Sequence, residues 1–139
     1  MRDFMEEWLV NSIIALVFWG LWNFFPKLAT MKTNVESVYV SGSLGVAIVT
    51  LVLAILWKSS LKLDSGTLPG LLGGVFGAAG SVFFLLAISK GPFPIVSTIT
   101  ALYPAVAVLL SIFFLGEVLS AKQIVGIVFA LFGVGMMVG

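Results

Sequence analysis

Polar side chains that could contact a small molecule are concentrated in two apolar stretches of the chain. In the first, Trp19 and Asn23 lie four residues apart, so they share one face if the stretch is helical. In the second, Ser97, Thr100 and Tyr103 bring three hydroxyl groups close together. Amides, hydroxyls and aromatic rings bind small molecules through hydrogen bonds and ring contacts. These five residues are therefore the predicted lining of a substrate path.

Each of these residues also has an ordinary structural explanation. Tryptophan is enriched where helices leave a membrane, so Trp19 and Trp22 are also candidates for interface anchors. A helical Ser or Thr often donates its hydroxyl proton to a carbonyl one turn back, which satisfies the hydroxyl locally. Asn23 is harder to explain in this way, because an amide in an apolar segment needs partners. Both interpretations stay open at the level of the sequence.

The residue types that most enzymes and metal sites require are missing. The chain has no Cys and no His, which excludes thiolate ligands, cysteine nucleophiles and histidine-based triads. Neither facing carboxylates at a recognisable spacing nor a phosphate-binding glycine loop after a strand occurs. We therefore expect no enzymatic activity, no metal and no cofactor.

The composition indicates a lipid environment. Of 139 residues, 60% are hydrophobic and only 9% are charged, whereas soluble domains carry about 25% charged residues. So few charges cannot cover a surface exposed to water, and the lipid bilayer is the expected main surrounding. The net charge of +1 argues against binding to nucleic acid, which needs a basic surface.

Charged residues divide the sequence into five apolar segments that are long enough for membrane-spanning helices. The segments are apolar on all sides and lack the two-residue alternation of barrel strands. The predicted fold class is an all-α integral membrane protein with a single domain, residues 1–139. Its helices are expected at approximately residues 8–28, 37–57, 66–89, 93–116 and 121–138.

Small residues recur at four-residue intervals in two segments. They are Gly73, Gly77 and Ser81 in the third segment and Gly126 in the fifth. Such spacing lets two helix backbones approach closely in a membrane, so we predict that these residues pack against other helices. The pattern fits packing within one subunit as well as a seam between two subunits.

Three further residues are predicted from their positions along the segments. Pro104 lies in the middle of the fourth segment and has no N–H to donate, so we expect a hinge there. Lys27 and Glu117 lie at segment ends and are predicted charges at the membrane rim. Proton-coupled exporters usually use an embedded carboxylate, but no charged residue falls deep inside any segment.

Lysine and arginine residues are almost evenly divided between the two sides of the membrane. Five helices place four of them on the side of the N-terminus, namely Arg2, Lys58, Lys62 and Lys122. The opposite side has three, namely Lys27, Lys32 and Lys90. Orientation normally follows a clear excess of these residues in cytoplasmic loops, so this near-balance permits insertion either way up. We hypothesise a homodimer, with an antiparallel pair as one arrangement.

The end of the chain resembles the closing part of an EamA-type unit of the drug/metabolite transporter superfamily. The stretch is GPFPIVSTITALYPAVAVLLSIFFLGEVLSAKQIVGIVFALFGVGMMV. Its matching features are Pro104, Leu115–Glu117, Gln123, Gly126 and Gly133–Gly135. FWGLWNFFPKLA, at residues 18–29, is similar to the first helix of that family.

This resemblance implies one EamA-like five-helix unit. Typical members carry two such units in inverted orientation around a substrate cavity, and they move amino acids, other metabolites or drugs. The chain holds one unit, which favours pairing with a second chain. The implied function is transport of small organic solutes by alternating access in the inner cell membrane. The alternative is a non-transporting assembly or regulatory subunit that partners another EamA-like chain.

Overall fold

The computed structural model describes residues 2–58 and 64–138, and it describes only the backbone of residues 2–6 and 138. This part of the chain contains helices and turns and no strand, which confirms the predicted all-helical class. The helices are α1 Arg2–Thr30, α2 Val35–Leu56, α3 Thr67–Lys90, α4 Phe93–Thr100, α5 Tyr103–Leu110 and α6 Ala121–Val138. A π-helical segment, Ser111–Leu115, continues α5.

Four helical segments in the described residues are long and apolar enough to cross a membrane. They are Glu7–Thr30, Val35–Leu56, Thr67–Lys90 and Phe93–Leu115. The fifth, α6, is an apolar helix of 18 residues, which is about 27 Å long at a rise of about 1.5 Å per residue. A bilayer has a hydrocarbon core of about 30 Å. The predicted membrane-type helical fold is therefore confirmed.

The chain divides into two compact units, Met1–Ser89 and Lys90–Gly139. The first unit contains α1, α2 and α3, and the second contains α4, α5, the π-helical segment and α6. The sequence predicts one domain over residues 1–139. The two units are described separately below.

Local polar contacts determine where two of the helices begin. The side-chain oxygen of Asn34 accepts a hydrogen bond of 2.9 Å from the backbone N–H of Ser37 at the start of α2. Before α6, the Gln123 side-chain oxygen accepts from the Ser120 N–H at 2.7 Å, and the Ser120 hydroxyl accepts from the Gln123 N–H at 3.4 Å. This reciprocal pair is a capping box, which satisfies N–H groups that have no partner inside the helix.

The interruption between α4 and α5 lies at Ala101 and Leu102, before Pro104. The N–H groups of Ala101 and Leu102 donate to the carbonyls of Ser97 and Ile99, at 3.0 and 3.1 Å, and close the end of α4. Pro104 then occupies the first turn of α5, where its missing N–H costs no bond within the helix. Pro104 thus begins a new helix, in contrast to the mid-helix position expected from the sequence.

Few side chains are shielded from their surroundings. Among the described residues, the buried hydrophobic side chains are Val38, Phe84, Leu85 and Ile88, all of them in the first unit. Large apolar side chains elsewhere point outward; Phe114, for example, is 81% exposed. A contiguous apolar surface of this kind is unfavourable in water and compatible with hydrocarbon. The exposure therefore fits a chain whose helices are surrounded by lipid.

Candidate functional site

Two contacts join α1 to α3 in the first unit. The rings of Trp22 and Phe84 are stacked, with centroids 5.7 Å apart and planes inclined by 19°. One turn further along α1, the ammonium of Lys27 donates a hydrogen bond of 2.8 Å to the carbonyl oxygen of Ile88. Ile88 is fully buried and lies in the last turns of α3, where carbonyls lack partners within the helix and carry partial negative charge. Lys27 therefore caps the C-terminal end of α3.

Beside these contacts, α1, α2 and α3 line a partly open cavity of about 330 Å³. We call it the α1–α3 cavity. Its lining residues are Trp22, Pro26, Val38, Tyr39, Gly42, Ser43, Val46, Gly74, Gly77, Ala78, Ser81, Phe84 and Leu85. Ligand sites commonly occupy about 300 Å³ or more, with mostly apolar walls and a few polar groups. The α1–α3 cavity has this size and this composition.

Hydroxyl groups supply the polar part of the lining. The Ser81 hydroxyl donates to the carbonyl of Gly77 at 2.8 Å, which leaves its oxygen free only as an acceptor. Tyr39 and Ser43 lie one helical turn apart on α2, and neither hydroxyl makes a hydrogen bond to a residue that the structure describes. By contrast, Ser41 and Thr50 on the same helix donate to carbonyls of α2. Tyr39 and Ser43 are thus available to a bound molecule.

The lining contains no charged residue. Lys27 lies next to the cavity residue Pro26 in the sequence, but its ammonium is held by the Ile88 carbonyl and it does not line the cavity. In the described residues, no cluster of acidic or other ligating side chains is suited to hold a metal ion. The cavity can therefore bind a molecule through ring contacts, dispersion and hydrogen bonds to hydroxyls.

The predicted path residues of the first unit lie beside the α1–α3 cavity and outside its lining. Trp19 is 57% exposed. The amide nitrogen of Asn23 donates to the Trp19 carbonyl at 2.8 Å, so part of that amide is satisfied within α1 itself. The cavity instead uses Trp22 and Pro26 from the same helix.

The glycines predicted to pack against other helices face open space. A Cβ atom at Gly73, Gly77 or Gly126 would meet no atom within 4 Å among the residues that the structure describes. No described helix of the same unit lies within this distance, and packing of these residues against other helices stays a prediction. Gly77 and Ser81 line the α1–α3 cavity instead, and Gly73 does not.

In the second unit, the predicted path residues lie on either side of the α4–α5 break. The Thr100 hydroxyl donates to the carbonyls of Val96 and Ser97, at 2.9 and 3.1 Å, as a helical threonine commonly does. Ser97 is half-buried and Tyr103 is 54% exposed. None of the three lines the apolar pocket of about 160 Å³ in this unit, which is formed by Ala105, Val108, Leu109, Ile112, Leu119, Ile124, Ile127, Val128 and Leu131.

The π-helical segment ends the fourth membrane-spanning stretch at Gly116. Gly116 has a left-handed backbone, with φ 67°, and its N–H donates to the Ser111 carbonyl. Glu117 follows, and its N–H points to the same carbonyl at 3.4 Å. The Glu117 side chain is exposed just after the end of the helical stretch. The sequence predicts a charge at the membrane rim at this position.

The cavity residues that sequence reasoning missed belong mainly to α2. Tyr39, Gly42, Ser43 and Val46 follow the spacing of one helical face, at i, i+3, i+4 and i+7. This spacing of small and polar residues on one helical face is the sequence signal for them.

Comparisons with known proteins agree with this architecture. A family model described as the EamA-like transporter family matches residues 7–139. An uncharacterized protein of Methanocaldococcus jannaschii is 29% identical over 131 residues, which cover 94% of this chain and 95% of that protein. No solved structure matches the chain.

The family match extends over nearly the whole chain, and the resemblance seen in the sequence is thereby confirmed. It agrees with the apolar, membrane-spanning helices of the structure. The chain therefore belongs to the EamA-like transporter family and is a multi-pass membrane protein.

Proposed function

We propose that this protein moves small organic solutes across the inner cell membrane by alternating access. The observation that carries the proposal is the α1–α3 cavity, which lies among three membrane-spanning helices of a chain from a transporter family. Two hydroxyls of this cavity, those of Tyr39 and Ser43, make no hydrogen bond to a residue that the structure describes. Such groups are expensive in a membrane interior unless they meet a polar partner, and a solute supplies one.

The working form is proposed to be a homodimer, and an antiparallel pair is the arrangement that the charges permit. Members of transporter folds often consist of two inverted repeats with the binding site between them. The near-balance of lysine and arginine residues between the two sides would allow the same chain to insert in both orientations. Lys62, which enters that balance, lies outside the described residues.

Residues predicted from the sequence remain candidates for the solute path within each unit. In the first unit, the amide oxygen of Asn23 is available while its nitrogen is bonded to the Trp19 carbonyl. In the second unit, Ser97 and Thr100 precede the α4–α5 break and Tyr103 follows it. Pro104, in the first turn of α5, keeps α4 and α5 from joining into one rigid helix and is the proposed hinge.

Flux into proteoliposomes made from the purified chain tests this function. Trp19→Ala and Asn23→Ala should each reduce the flux of a transported solute at least fivefold without loss of membrane insertion. Trp57→Ala is the matched control, because Trp57 caps the end of α2 and is 72% exposed. The screen should contain amino acids, neutral aromatic compounds and cationic drugs, each with and without a pH gradient. Absence of flux for every solute would reject transport by this chain alone.

The second candidate function is a non-transporting subunit that assembles with another EamA-like chain. The open space beside Gly73 and Gly126 favours it, because small residues on a lipid-facing helix can receive a helix from a partner. Purification from native membranes distinguishes the two functions. A subunit of this kind would copurify with a second membrane protein in fixed ratio and would show no flux when reconstituted alone.

A further inference from the structure

We propose that the α1–α3 cavity binds an uncharged aromatic molecule that carries one or two hydrogen-bonding groups. The proposal deepens the proposed transport function by assigning a solute class to one cavity. It rests on that function only in treating the cavity as part of a solute path. The solute class is inferred from the lining, namely from its lack of charge, its aromatic rings and its hydroxyls.

Charge is the first discriminating property. None of the thirteen lining residues is ionised, and the nearby ammonium of Lys27 is bound to the Ile88 carbonyl. A carboxylate or an ammonium that entered this cavity would lose its hydration and gain no opposite charge, which is strongly unfavourable. The cavity should therefore discriminate against amino acids, organic anions and organic cations.

The lining combines aromatic side chains with small residues. Trp22 is held in position by its stacking on Phe84, and Tyr39 adds a further ring from α2. Gly42, Gly74 and other small residues of α2 and α3 also line the space and project little into it. A flat ring can approach such a surface closely and gain both dispersion and ring–ring contacts.

The hydroxyls indicate which ring substituents fit. Tyr39 and Ser43 can each donate and accept a hydrogen bond, and neither is paired with any of the described residues. A ring N–H or a phenolic O–H would satisfy them. Beside a lipid acyl chain the Tyr39 hydroxyl would have no partner, which is costly, whereas Ser43 could still donate to a carbonyl one turn back on α2. The Tyr39 hydroxyl therefore favours a polar aromatic solute over lipid.

The size of the cavity suits a small molecule. Its volume of about 330 Å³ falls in the range of about 300–1,000 Å³ that small-molecule sites occupy. A single ring system fits this space.

A set of ligands that share one ring tests the proposal. The purified full chain in lipid nanodiscs would be titrated with radiolabelled indole, which is uncharged, and empty nanodiscs would correct for partition into lipid. Tryptamine, indole-3-acetate and tryptophan carry the same ring with a positive charge, a negative charge or both. We expect saturable binding of indole, and at least tenfold weaker competition by each of the three charged compounds.

Matched variants assign the binding to the α1–α3 cavity. Gly77→Leu places a large side chain in the cavity and should weaken indole binding at least tenfold. Gly80→Leu is the same change on the same helix, outside the lining and also in open space, and should leave binding within twofold. Should Gly77→Leu fail to fold, Ser43→Ala tests the same point with Ser41→Ala as control, because Ser41 bonds the Val38 carbonyl.

The outcomes separate this proposal from transport itself. Unsaturable indole binding, equal competition by the charged compounds, or equal binding by Gly77→Leu and Gly80→Leu would overturn the assigned solute class. Selective indole binding without flux in proteoliposomes would support the cavity assignment and reject transport by this chain alone. Flux of other solutes without indole binding would support transport and reject this cavity chemistry.

Discussion

At the scale of single residues, one lysine illustrates how the sequence and the structure complement each other. Lys27 follows Pro26 near the end of α1, and its position alone indicates a charge at the membrane rim. The structure adds its partner, the carbonyl of the fully buried Ile88 on α3. A half-buried ammonium bonded to a helix C-terminus contributes more than an exposed ion pair, because the bond is charge-assisted and partly shielded from water.

We predict that Lys27→Met destabilises the first unit by about 1–2 kcal/mol, since a hydrogen bond to a charged group is lost and the Ile88 carbonyl is left unpaired. Thermal unfolding in detergent, followed by circular dichroism, measures this change. Lys32→Met is the control, because Lys32 lies in the exposed connection between α1 and α2. Equal midpoints for the two variants would contradict the capping role of Lys27.

At the scale of elements, the fourth membrane-spanning stretch is built from pieces. α4 ends at Thr100, α5 begins at Tyr103, and a π-helical segment leads into Gly116. Each joint has a local cause. Pro104 suits only the first turn of a helix, and glycine readily takes the left-handed backbone that ends the π-helical segment. The first joint therefore interrupts the stretch before α5, and the second ends it at Gly116.

Gly116→Ala should destabilise the chain by about 1–2 kcal/mol, because a Cβ atom in the left-handed region clashes with the following carbonyl. Gly135→Ala is the matched control on α6. It lies in a helix with open space around it, and alanine there should be neutral or stabilising by up to about 1 kcal/mol. Chemical unfolding in mixed micelles would compare them. A Gly116→Ala variant as stable as Gly135→Ala would refute the conformational role.

At the scale of the whole molecule, the described residues bury few of their own side chains, and several predicted packing glycines have no atom close by. Both features fit the proposed association with another helical unit in the bilayer, where small residues permit close approach. The proposed partner is an inverted second copy, which the balance of positive residues permits.

Dual insertion has a direct test, because the chain contains no cysteine. Thr33→Cys introduces one thiol in the exposed connection between α1 and α2. An impermeant maleimide added to intact cells should label about half of the molecules if the chain inserts both ways up in similar amounts. Complete labelling or complete protection would show a single orientation and remove the antiparallel dimer. Permeabilised cells, in which every thiol is labelled, provide the reference.

The sequence determined the class of this protein and the material that surrounds it. The apolar runs are long enough to cross a bilayer and are separated by only a few charges. In lipid, a helix pairs the backbone N–H and C=O groups of such a run with one another. The Ser120–Gln123 capping box and the Asn34 cap, which the structure shows, depend only on neighbours within three residues.

Only the tertiary structure decided which faces meet. Trp22 lines the α1–α3 cavity while Trp19 does not, and Tyr39 and Ser43 of α2 also line it. Helical periodicity predicts which residues share a face, but it does not say which neighbour that face will contact. That choice depends on contacts between residues far apart in the sequence, such as Lys27 with Ile88, and these arise only when the helices pack.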